Sequence, residues 1–85
     1  MYVFGEPIMQ EREVGFLLES GDLNGVAISH QSADQGWVIT LTTKTDVAKH
    51  TLVTKREKTH RLFRTSDAAL RWCKKLGINE VTVYL

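Results

Sequence analysis

The stretch from Thr51 to Gly77 constrains this chain most. It carries the signals of a strand, a basic turn, a second short strand and a capped amphipathic helix, in that order. Thr65 or Ser66 can cap free amide groups at the helix start, and Asp67 sits where the helix dipole favours an anion. Ala69, Leu70, Cys73 and Leu76 recur at helical spacing and predict a buried stripe, with Trp72 on its flank. Arg71, Lys74 and Lys75 suit the C-terminal end, and Gly77 supplies a left-handed stop. A helix with one apolar face that directly follows strands has to bury that face on their sheet.

The rest of the chain supplies that sheet. Val26, Ile28 and His30 alternate against Ala27 and Ser29, and after a polar loop over Gln31–Gly36 the run Trp37–Thr43 places Trp37, Ile39 and Leu41 on one face. The two segments predict a hairpin. A polar turn over Lys44–Lys49 leads to a strand over His50–Lys55, a further turn to a short strand over His60–Arg64, and Val81, Val83 and Leu85 alternate in a last strand over Glu80–Leu85. Short strands joined by short polar turns predict an antiparallel meander. The expected fold is therefore α+β: about four to five antiparallel strands, one C-terminal helix packed on them, and a final strand.

Residues 1–24 fit this scheme least. Tyr2-Val3-Phe4 suits a short strand that Gly5-Glu6-Pro7 breaks, and Gly21–Gly25 is turn chemistry. Between Ile8 and Ser20 a helix entered at Pro7 competes with a strand over Glu13–Leu18. Gly15 costs a helix about 1 kcal/mol, and the apolar residues make no clean helical stripe. The balance favours a strand or an irregular arm, suited to dimerisation, ahead of a single domain over residues 25–85.

With 85 residues the chain has room for one domain whose own core is marginal, so a homodimer contact would help it. A hydrophobic fraction of 42% excludes a wholly disordered chain. The single cysteine forms no internal disulfide, and no apolar run approaches a membrane span, so the expected location is the cytoplasm, with no membrane partner. The net charge of +1 hides an asymmetry. Residues 1–43 hold six carboxylates against Arg12 alone, a net of −5, while residues 44–85 hold ten Lys or Arg against four carboxylates, a net of +6. Such separation suits an anionic partner or head-to-tail self-association.

Signals for catalysis are weak. His30, His50, His60 and Cys73 lack the paired spacing of metal ligands, so no metal and no other cofactor is expected. Cys73 lies on the apolar helix stripe, where a small buried side chain is the ordinary reading. The six glycines stand apart at turns and match no phosphate loop. Glu11, Glu13 and Glu19 read as a solvated acidic face. An enzyme is not expected.

One cluster has a physical mechanism behind it. Lys55, Arg56, Lys58, Arg61 and Arg64 gather with His60 around one turn, and Lys74 and Lys75 extend the patch on the helix. Such clusters attract phosphate backbones through counterion release. Phe63, if its ring faces the same way as Arg61, could stack on an unpaired base. The rival reading gives this basic face to the acidic half of another subunit or protein.

From Gly36 onward the runs Gly-Trp-Val-Ile-Thr-Leu, Leu52–Arg56, Arg61–Ala69 and Leu76–Val83 resemble a family of small proteins of plasmids and integrative conjugative elements, some of them partition-associated or ParC-like. The resemblance covers about the last fifty residues and rests on a strand tryptophan, an Arg-x-Phe strand end and a Leu-Gly-Ile helix exit. It implies a bacterial accessory protein that acts in DNA maintenance, with DNA and a partition or replication protein as partners. It supplies no catalytic residue.

Overall fold

The computed structural model describes residues 2–3, 6–32, 36–45, 48–54 and 59–85. Among them are six strands and two helices: β1 (Tyr2–Val3), β2 (Glu6–Gln10), α1 (Glu11–Ser20), β3 (Leu23–Ser32), β4 (Gly36–Thr43), β5 (His50–Val53), α2 (Ser66–Leu76) and β6 (Thr82–Tyr84). The class is α+β, with strand order β1-β2-β5-β4-β3-β6.

The antiparallel meander exists, but only over β3, β4 and β5. At the flanks β2 runs parallel to β5, and β6 runs parallel to β3. The cause is the helices. A helix packed on a sheet carries the chain back along it, so the strands before and after it emerge in the same sense. The sheet is therefore mixed, not the purely antiparallel one expected from turn spacing.

Residues 8–20 differ most from expectation. Ile8, Met9 and Gln10 pair with Thr51, Leu52 and Val53, and the next residue begins a helix. Pro7 is harmless because it pairs with Tyr2 of the two-residue β1, ahead of the run bonded to β5. Val14, Leu17 and Leu18 form the inward stripe of α1, and Val14 is fully buried. Glu13 Oε1 accepts the Gln10 backbone N–H at 3.4 Å. At the far end Gly21 takes a left-handed φ of 75°, with its own N–H bonded to Leu18 and that of Asp22 to Leu17. The segment expected as an arm is thus woven into the sheet and core. The turn expected over Gly21–Gly25 is confined to Gly21 and Asp22, since β3 already runs from Leu23, with a register shift between Leu23 and Gly25.

The C-terminal helix has the expected ends. Thr65 is its N-cap and accepts the Ala68 N–H at 3.1 Å, and Gly77 closes it at φ 94°. Its inward stripe is Ala69, Trp72 and Cys73, with Leu76 half-buried. Leu70, expected inside, is 37% exposed. Two residues separated by two positions lie about 200° apart around a helix, so Leu70 and Trp72 cannot both face the sheet, and the larger ring takes the core.

Both helices pack on one face of the sheet, over Met9, Val26, Ile28, Ile39, Leu41 and Leu52. The other face carries the row Ile8–Thr51–Thr40–Ala27–Thr82, read directly across five strands. Ala27, Ser29, Thr40, Thr42 and Thr82 there line an open basin of about 480 Å³. Among the described residues no helix is long and apolar enough to cross a membrane.

Candidate nucleic-acid interface

The sheet splays at the carboxyl ends of its parallel strands. Between β4 and β5 the ladder is short, pairing Thr40 with Thr51 and Leu41 with His50. Beyond it β5 turns to a different partner: Val53 bridges to His60, and the Arg61 N–H reaches the Leu52 carbonyl at 2.9 Å. The segment then crosses to β4, where the Trp37 and Phe63 backbones exchange hydrogen bonds of 2.8 and 2.9 Å. Residues 60–63 thus fill the split as single bridges, not as the continuous strand expected over His60–Arg64. Leu62 consequently points outward, 49% exposed, while Phe63 packs against the core.

At this end a cleft of about 530 Å³ opens between the start of α1 and the end of β5, lined by Gln10, Glu11, Arg12, Val53, Thr54 and Arg61. Crevices at the carboxyl ends of parallel strands beside a helix N-terminus are common ligand positions. The Thr54 N–H bonds to the Thr59 carbonyl at 2.8 Å, bracketing the basic turn in sequence. Lys55, Arg56 and Lys58 themselves lie outside the described residues.

Arg61, expected as a phosphate contact, already has an anion. Its Nη1 donates to Glu11 Oε1 at 3.0 Å, and the same oxygen accepts the Trp72 indole N–H at 2.7 Å. The guanidinium carbon also lies 5.3 Å from the centre of the Phe63 ring and 5.7 Å from that of Trp72. The Trp72 N–H, and then Arg61, hold the Glu11 carboxyl below its usual range against the opposing effect of burial, and Lys75 adds a smaller pull. Arg61 and Glu11 remain 38% and 53% exposed, so water screens their attraction.

Phe63 does face the same way as Arg61, and that ring face is occupied by the guanidinium while its neighbour Trp72 tilts against it at 6.2 Å. Arg64 is exposed beside the splayed end, and Lys74 and Lys75 are exposed on α2. The structure thus brings Arg61 and Phe63 into one cluster with two residues the sequence did not single out as partners, Glu11 and Trp72, and adds Arg12 to the cleft. Glu11 was hidden because the helix it begins was not recognised, and Arg12 because it stands alone among acidic residues.

Two aromatic rings share this end. His30, on β3, pairs with Trp37 on β4, and their rings stack with centres 4.5 Å apart and planes 22° from parallel. His30 continues the alternation of Val26 and Ile28, and Trp37 that of Ile39 and Leu41, which is the signal in the sequence for their shared face.

Burial pushes the Cys73 thiol up to about 11, so it stays protonated near neutrality and is a poor nucleophile. Among the described residues no three His, Cys, Asp or Glu side chains converge where they could hold a metal ion. Compared with protein-family models, curated proteins and solved structures, the chain shows no significant similarity to any.

Proposed function

We propose that this is a non-enzymatic nucleic-acid-binding protein whose phosphate-contacting surface is the splayed carboxyl end of the sheet. The observation that carries the reading is the cleft in which Arg12, from the start of α1, meets the segment that follows the basic run. Arg12 and Arg61 line one cleft, and the run Lys55, Arg56 and Lys58 lies in sequence between its wall residue Thr54 and Thr59. Arg64 lies just beyond, Lys75 on α2 is near enough to Glu11 to pull on its carboxyl, and Lys74 is exposed on the same helix. Clustered cations of this kind bind phosphate backbones by displacing condensed counterions. With the resemblance to accessory proteins of mobile elements, the proposed setting is DNA maintenance in a bacterium, in the cytoplasm, with DNA as the partner.

Fluorescence anisotropy of labelled single-stranded and duplex DNA across a salt series tests this. The wild type should bind with an affinity that falls log-linearly with salt. The triple variant Lys55→Ala, Arg56→Ala, Lys58→Ala and the separate variant Arg64→Ala should weaken binding to all sequences, with the slope reduced by about one for each phosphate no longer neutralised. Unchanged affinity in both would remove the proposal. Arg61→Ala is the wrong probe, because it also strips Glu11 of a partner and uncovers Phe63 and Trp72.

A second reading, a protein-interaction module or homodimer adaptor serving a partition or replication protein, draws on different residues. Phe16 projects from α1 74% exposed, and Leu62 stands out beside the cleft. The last strand, Thr82-Val83-Tyr84, ends the sheet order and carries no charge or proline to blunt its edge, so it suits pairing with a second copy. Complexes that survive nuclease and high salt, and that Phe16→Asp abolishes, would favour this reading over the first.

A further inference from the structure

We propose that the His30–Trp37 pair is a stacking platform for an unpaired base, which makes single-stranded nucleic acid the preferred ligand. This inference rests on the nucleic-acid reading above and adds the ligand class and two residues to it. The rings stack with 4.5 Å between centres and nearly parallel planes. Trp37 is half-buried, packs against the core and is held at its backbone by Phe63, so it is a fixed support. His30 is exposed, and with Trp37 covering one side of its ring, the exposure belongs to the other side and the ring edge. A base laid on that side would continue the stack. Such stacking accepts any base, because every base has a π-face.

The cations are placed to hold the strand that carries the base. At Gly36, next to Trp37, a Cβ would lie 2.5 Å from the Phe63 carbonyl oxygen and 4.0 Å from the Arg64 Cα. Only glycine therefore lets the Phe63–Arg64 backbone rest against the start of β4. This contact sets exposed Arg64 directly beside the aromatic pair. Arg61 and the cleft lie one step further along the same segment, on the far side of Phe63. An anionic backbone that runs from the cleft across Arg64 reaches the β4 side of the split, where a base can turn onto His30. A duplex keeps its bases stacked inside, so it would gain the phosphate contacts without the platform.

The test compares wild type, His30→Ala and His30→Phe, each as the full chain, binding a labelled oligothymidylate of about 15 nucleotides and a duplex. Losing a base stack should weaken single-strand binding roughly 10-fold, leave duplex binding unchanged, and leave the salt slope unchanged because the same phosphates stay neutralised. His30→Phe should restore the affinity. Equal single-strand affinity for wild type and His30→Ala overturns the platform while leaving the phosphate surface standing. Failure of His30→Phe to restore binding also overturns it, since a hydrogen bond and not a ring face would then be at work. No binding of wild type to either nucleic acid overturns the platform together with the function it rests on.

Discussion

The Glu11 carboxylate accepts the Trp72 indole N–H at 2.7 Å, tying the first residue of α1 to the middle of α2. The two helices lie on one face of the sheet, and this bond, with Arg61 closing over it, joins them at the splayed end. An indole buried on the core side of α2 must still satisfy its N–H, and it does so with an acid from the first turn of the other helix. The arrangement gives Glu11 its lowered pKa.

Removing this bond should be measurable in both stability and its pH dependence. Trp72→Phe should cost about 1 kcal/mol for the missing hydrogen bond beyond any packing change, and Glu11→Gln less, because an amide oxygen can still accept. Since the folded carboxyl is held below its unfolded value, its contribution is full above the unfolded pKa and is lost as pH falls through the folded one. Urea titrations of wild type and Glu11→Gln should therefore differ most near neutrality and converge in acid. Parallel pH profiles would refute the pairing.

Two glycines should respond in opposite directions. Gly15 lies within α1 with no atom within 4 Å of where a Cβ would sit, so Gly15→Ala should stabilise the fold by about 0.5 to 1 kcal/mol through helix propensity. Gly36 has a left-handed φ of 89° and a blocked Cβ position, so Gly36→Ala should destabilise it by at least about 2 kcal/mol. Thermal melts of the two variants check both signs at once.

The inward face of α2 can be checked by truncation. Trp72→Ala should cost about 3 to 5 kcal/mol and Leu70→Ala less than about 1 kcal/mol, because only the first side chain is inside. Denaturant midpoints in the reverse order would mean that the helix is rotated from the position described.

The capped ends of α2 were legible because they depend on local chemistry: Thr65 bonds three residues ahead, and Gly77 needs only its own left-handed backbone. The β3–β4 hairpin was legible for a similar reason, since Ile28 and Ile39 alternate into one core across a short loop. The first helix was not. Gly15 argues against a helix by intrinsic propensity, and its inward stripe of Val14, Leu17 and Leu18 is too short to outweigh that until the core stabilises it. The basic run could be seen as a charge cluster, yet the pairing of Arg61 with Glu11 could not, because the partner lies fifty positions away.

What this sequence determined by itself is therefore the α+β class, the position and ends of the C-terminal helix, the central hairpin and the separation of charge, all properties of neighbours along the chain. Tertiary structure decided the rest. It returned β2 and β6 parallel to their neighbours because helices intervene, turned Trp72 inward in place of Leu70, and set Glu11 against Arg61 and Trp72. These choices turn on contacts between residues more than forty positions apart, and only burial in a shared core ranks such alternatives.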